Sequence, residues 1–197
     1  MVGRMIRNPN EYPGRRSRRG FTLLELTVVL IMVGIIAGMA VPRLNYEKYR
    51  ADAAMRTVRT VLQAAQRNAI MRQTNIVVGF DVTNKKMQVV EDANNNCTVD
   101  GGERSTTRPL EDGAKFSIPS NGYGGTPSAA VTGSNLCTMG GLPAIQFLRD
   151  GAASSNIDAY LTSSRGTQVD YRLVRVTMAT GRTESFRYTG SAWTRIN

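Results

Sequence analysis

RRGFTLLELTVVLIMVGIIAGMAVP, residues 18–42, is the stretch on which the reading of this chain turns. From Phe21 to Val41 it runs for 21 residues with Glu25 as the only charge. As a helix rising about 1.5 Å per residue, such a run is about 31 Å long, close to the thickness of a bilayer's hydrocarbon core. Arg15, Arg16, Arg18 and Arg19 abut its start, and nothing comparable abuts its end. Because cationic residues are retained on the cytoplasmic side, this predicts a cytoplasmic N-terminus with everything after Pro42 outside. A carboxylate inside such a segment costs about 2.5–3.5 kcal/mol on insertion scales, so Glu25 is expected to have a purpose. Gly34 and Gly38 have the spacing of a close helix-packing site, which is also routine small-residue content.

Towards the N-terminus, residues 1–20 are short, basic and broken by Pro13 and Gly14. They hold six of the 25 cationic residues and one of the 15 acidic ones, so the net charge of +10 falls to +5 without them. Much of the basic character thus belongs to a leader, which weakens a nucleic-acid reading. An ordinary secretory signal is cut after its apolar region at small residues, and Gly38-Met39-Ala40-Val41-Pro42 fits that poorly.

Towards the C-terminus, residues 43–75 read as an amphipathic helix continuing the anchor. Met55, Val58, Leu62, Ala65 and Ala69 step by three and four, with Arg56, Arg59, Gln63, Gln66 and Arg67 between them. From Ile76 to the end the texture is strands and turns. Expected hairpins are Ile76–Phe80 with Met87–Val90, and Tyr171–Ala179 with Arg182–Tyr188. Ala114–Ile118, Ala144–Leu148 and Trp193–Ile196 are further expected strands. Residues 92–113 and 119–143 read as long loops rich in Gly, Asn, Ser and Thr. The expected class is α+β: a leader (1–20), a transmembrane helix segment (21–42), an amphipathic helix (43–75) and a β-rich periplasmic domain (76–197) on whose antiparallel sheet the helix packs.

Arg19-Gly20-Phe21-Thr22-Leu23-Leu24-Glu25 followed by the apolar run resembles the class III signal of type IV prepilins and type II secretion pseudopilins. The resemblance implies that a prepilin peptidase cuts after Gly20 and methylates the new N-terminus at Phe21. Glu25 is then the acid within the helix. In a filament the free amine of Phe21 can neutralise Glu25 of a neighbouring subunit and so fix axial register. Phe147-Leu148-Arg149-Asp150-Gly151 and the late Gly181-Arg182 turn resemble the GspH/FimT group of minor pseudopilins. The late turn reads Gly181-Arg182-Thr183-Glu184 and lacks a second basic residue close by.

Three further sites have two readings each. Asp92, Asn94, Asn96, Asp100 and Glu103 place oxygen side chains at positions one, three, five, nine and twelve of a calcium loop, with Cys97 where a glycine belongs. The same residues also suit a plain connecting loop. Cys97 and Cys137 are expected to form a disulfide if this part lies outside the cytoplasm, worth roughly 4 kcal/mol for a loop of about 40 residues. Arg175, Arg182 and Arg187 either touch DNA or form a solvated face. A three-residue turn at Gly181 would pair Val174 with Phe186 and put Arg175 and Arg187 together on one face.

There is no histidine, and no serine or cysteine stands in a nucleophile motif, so no enzyme is expected. No cofactor is expected apart from the calcium reading. The expected function is a structural minor pseudopilin or pilin subunit in the bacterial inner membrane, built into a periplasmic pseudopilus or type IV pilus and supporting type II secretion. Its partners are prepilin peptidase and other pilins. The alternative is a DNA-binding minor pilin used in DNA uptake.

Overall fold

A computed structural model describes residues 20–40, 46–111, 113–119, 129–164 and 170–196. The leader arginines and Pro42 lie outside the described residues. The chain divides into two units, Met1–Leu44 and Asn45–Asn197.

In the first unit, helix α1 spans Leu23–Ala40. Its start is set by a side-chain cap, in which the Glu25 N–H donates to Thr22 Oγ1 at 3.1 Å. Thr22 and Glu25 thereby hold the spacing of a capping box, and the Glu25 carboxylate lies in the first turn, at the positive end of the helix dipole. Every described side chain of α1 is exposed. An isolated helix that is apolar all round has no face for water, so its apolar surface must be covered by something else. Among the described residues no helix is long and apolar enough to cross a membrane. The apolar run of the sequence continues to Val41, outside the described residues.

The second unit opens with α2, Tyr46–Arg72. The periodicity of its sequence becomes one buried stripe: Ala51, Ala54, Met55, Val58, Leu62, Ala65 and Ala69. That stripe packs on two antiparallel sheets rather than one. The first contains β1 (Asn75–Asp81), β2 (Lys86–Asp92), β3 (Ser105–Pro109), β6 (Cys137–Met139) and β7 (Leu142–Phe147), in the order β3-β2-β1-β7-β6. The second contains β4 (Ala114–Phe116), β8 (Ile157–Ser163), β9 (Arg172–Thr177), β10 (Arg182–Tyr188) and β11 (Trp193–Ile196), in the order β11-β10-β9-β8-β4. The short β5 (Val131–Gly133) pairs with the same edge of β8 as β4 does, one residue group along.

One core joins the α2 stripe to both sheets. Ile76, Val78 and Phe80 enter it from β1, Ile157, Ala159 and Leu161 from β8, and Val174 and Val176 from β9. β1 is buried on both faces, because Val77 packs into a second cluster with Val90, Met139 and Ala144.

Three expectations change. The two long loops are interrupted: β3 lies within 92–113, and β5 and β6 within 119–143. β3 is exposed throughout and carries no apolar alternation, so only its pairing with β2 (Val90 opposite Ser105 to Lys86 opposite Pro109) makes it a strand. Residues 157–163, for which no strand was expected, form β8, an interior strand paired with β9 on one side and with β4 and β5 on the other. Its signal is the alternation Ile157, Ala159, Leu161, muted by a small residue at the middle position.

The last hairpin has a different register. Thr177 pairs with Arg182 across a four-residue turn, so Val174 faces Ser185, not Phe186. The Gly181 N–H donates to the Thr177 carbonyl at 2.8 Å, and Gly181 sits at φ 61°, a left-handed position suited to glycine. The apolar face expected from pairing Val174 with Phe186 does not form. Polar Thr183 and Ser185 are buried on the core side instead.

Candidate functional site

Gly20, Phe21 and Glu25 come together simply by adjacency at the start of α1. Phe21 is 82% exposed and a Cβ on Gly20 would meet nothing. Among the described residues nothing packs against the Gly20–Phe21 junction. Among the described residues no cation pairs with Glu25. Thr22 was not expected to contribute; the Thr-x-x-Glu spacing was the signal for it.

The second unit treats its own carboxylate differently. Asp52, on α2, receives Arg172 Nε at 2.6 Å and Arg187 Nη2 at 3.1 Å. Arg172 is fully buried, so this pair ties α2 to β9 and β10 inside the fold. Burial by itself would raise the Asp52 pKa, but the hydrogen bonds and charges of Arg172 and Arg187 outweigh it and hold the carboxyl below its usual value.

The three arginines considered for DNA do not share a face. Arg187 lies opposite Arg172 on the helix side. Arg175 lies on the outer side, where it grips Asp158 through two hydrogen bonds of 2.7 Å and sits over the Phe186 ring. Arg182 reaches Glu184 at 3.3 Å, and Arg195 reaches the same carboxylate at 3.1 Å. The expectation that Arg175 and Arg187 lie together thus fails with the hairpin register. Each of the three is engaged by a carboxylate, Arg187 sharing Asp52 with Arg172 and Arg182 sharing Glu184 with Arg195.

In the loop from Asp92 to Glu103 the carboxylates are met by protein donors. Asp92, buried at the end of β2, accepts from the N–H groups of Asn96 and Cys97 and from Gln146 Nε2. Asp100 accepts from the side-chain amides of Asn94 at 2.7 Å and Asn96 at 2.6 Å, which hold its carboxyl below the usual carboxylate range. Glu103 accepts from the N–H groups of Ala93 and Asp100. Among the described residues no three acidic or cysteine side chains are grouped as metal ligands. Cys97 takes the left-handed conformation a glycine would take there, φ 59°, and is joined by a disulfide to Cys137 at the start of β6. The bridge lies against the second apolar cluster.

The two sequence elements of the GspH/FimT resemblance meet in space. Gln66 Nε2 donates to the carbonyl of Gly151 at 2.8 Å and to that of Thr180, beside Gly181, at 2.9 Å. A Cβ on Gly181 would run into the Gly151 carbonyl and the Gln66 amide, and one on Gly151 into Ile70. The glycines are needed because α2, the β7–β8 connection and the late turn approach one another closely here.

Against known proteins, the family described as Type II transport protein GspH matches residues 54–181, from the α2 stripe to the late glycine. The prokaryotic N-terminal methylation motif matches residues 15–41. The pilin-like protein PilA1 of Thermus thermophilus is 41% identical over 66 residues, 34% of this chain and 41% of that protein. The type II secretion system core protein G of Klebsiella michiganensis is 53% identical over 38 residues, 19% of this chain and 27% of that protein. The matched stretches thus span well under half of these relatives. Among solved structures, the minor pseudopilin EpsH of Vibrio cholerae has a TM-score of 0.49 at 12% identity, covering 74% of this chain and 99% of that one. The type IV minor pilin FimU of Pseudomonas aeruginosa has a TM-score of 0.45 at 11% identity, covering 67% and 84%.

An apolar helix within a methylation motif, followed in the chain by a helix packed on antiparallel sheets, is a pilin-like architecture. The chain belongs to the GspH family, and it is a GspH/FimT-type pilin-like protein.

Proposed function

We propose that this chain is a precursor cut after Gly20 and methylated on Phe21. Residues 21–42 then anchor it in the bacterial inner membrane with the leader in the cytoplasm and the β-rich domain in the periplasm. From there it is built as a minor subunit into a pseudopilus or type IV pilus, in support of type II protein secretion. The carrying observation is the coincidence of the methylation motif with a helix whose every described side chain is exposed. Such a helix must exchange lipid for neighbouring helices, and a lone acid in its first turn suits pairing with another subunit's N-terminal amine. The alternative of DNA capture draws no support from the three arginines expected to carry it, since each is held by an internal carboxylate.

Mass spectrometry of membrane fractions tests the reading. The expected N-terminal peptide begins with N-methyl-Phe21, and Gly20→Val should leave the leader in place. An intact Met1 peptide in cells with an active prepilin peptidase would sink it.

A further inference from the structure

The first sheet is wider than the helix that covers it. Strand β3 is its outer edge, and pairing with β2 sets Arg108 opposite Met87 and Thr106 opposite Val89. Side chains alternate across a strand, so Thr106 and Arg108 share the face on which Val89 and Met87 reach the core beneath α2. Between that face and the flank of α2 runs a groove of about 650 Å³, within the size range of ligand and peptide-side-chain sites. Its floor is apolar, with half-buried Val61 from α2 and Val89 from β2. Its rim is cationic: Arg56 on α2, Arg104 just before β3 and Arg108 on it.

Several acids of the unit are already engaged. Asp52, Asp81, Asp158 and Glu184 each already hold a cation in the fold. Glu91, the one acid of the groove, is taken by Arg72 at 2.6 Å. Arg56, Arg104 and Arg108 form no ion pair among the described residues. Three uncompensated guanidinium groups around an apolar floor call for an occupant that brings both carboxylates and hydrocarbon. A DNA duplex would satisfy the rim and gain nothing from the floor.

We infer that the groove between α2 and β3 is a docking site for an acidic, amphipathic segment of a partner protein, with apolar side chains seated on Val61 and Val89 and carboxylates on Arg56, Arg104 and Arg108. The site lies wholly within Asn45–Asn197 and does not depend on cleavage at Gly20.

The test uses the full chain in detergent micelles and three fluorescent probes: a short Glu/Leu amphipathic peptide, its Lys/Leu counterpart, and a DNA duplex. The Glu/Leu peptide should bind saturably. Arg104→Glu/Arg108→Glu should weaken it about tenfold or more, as expected for loss of close charge pairs. Thr60→Trp, which fills the groove without changing charge, should also weaken it, whereas Arg149→Glu, on an exposed turn away from the groove, should not. Unchanged thermal melting would show that the variants fold. The inference is overturned if the Lys/Leu peptide binds as well or if Arg149→Glu is as harmful as the β3 pair. Tighter DNA binding lost in that pair would likewise overturn it and make the groove a nucleic-acid site.

Discussion

Glu25 on α1 and Asp52 on α2 are two carboxylates whose surroundings differ in opposite ways. Glu25 sits in the first turn of a helix exposed on every side, with no cation beside it among the described residues. Asp52 sits on a helix with a single buried stripe and is held by Arg172 and Arg187 of the adjoining strands. The first helix leaves all its described side chains exposed. The second is finished within its own fold. On the proposed function, the same chemistry, a carboxylate seeking a positive group, would serve assembly in one place and folding in the other.

The sharpest way to break this contrast is Glu25→Leu. The change makes α1 more apolar and should leave membrane insertion and cleavage intact. Incorporation into filaments should nonetheless fall to near nothing, with the melting of the β-rich domain unmoved. Normal incorporation, measured by recovery in sheared or purified filaments, would remove the role given to Glu25.

Asp52→Asn should do the reverse: it removes the charge that Arg172 and Arg187 meet and should cost about 1–3 kcal/mol of domain stability. Trp193, the single tryptophan, packs on Tyr160 and Tyr188 and reports unfolding by fluorescence in urea. The pH dependence gives an independent reading. The Asp52 pKa is lowered in the fold, so its contribution is present above the unfolded carboxylate pKa and is lost as pH falls through the folded one. Wild type should therefore lose stability in acid more steeply than Asp52→Asn. Equal slopes would mean that Asp52 is not the anchor of α2.

The disulfide comes next in size. Replacing Cys97 and Cys137 together by alanine should cost about 2–4 kcal/mol, with α1 unaffected. Non-reducing peptide mapping of periplasmic protein should show the two joined, and two freely alkylated thiols would contradict the bridge. Smallest is Gly181→Ala, expected to cost about 1–3 kcal/mol because alanine must take a left-handed conformation there. The added methyl also presses on the Gly151 carbonyl and Gln66. A melting temperature equal to wild type would show that the close approach of the two motif glycines is looser than described.

Much of the chain was legible in its residues, for reasons that are local. The extent of α1 follows from an apolar run that has no alternative use. The α2 stripe follows from a three-and-four spacing that only a helix places on one side, and Met55, Val58, Leu62, Ala65 and Ala69 are all buried. The methylation motif that holds Gly20, Phe21 and Glu25 could be read because it is defined by adjacency along the chain. What failed to show was non-local. β3 has no strand pattern of its own and exists because β2 offers it an edge. β8 hides behind a small central residue, although strands on both its edges make it a centre of the second sheet.

The positions of the arginines belong to the same class. Whether Arg175 and Arg187 share a face depends on one residue of register in the last hairpin, and a shift of one exchanges the faces of a strand. That register follows from the four-residue turn and from burial of Val174 and Val176 beneath α2, neither of which is written in the spacing of the arginines. The sequence alone determined the two helices and the place of the lone acid in the first of them, because each rests on contacts between near neighbours or on composition. Only the tertiary structure decided that two sheets share one helix, that Asp52 is the carboxylate held inside the fold, and that a cationic groove stays open beside β3. Those outcomes depend on which distant strands pair, and pairing is set by the burial of the whole core rather than by any one segment.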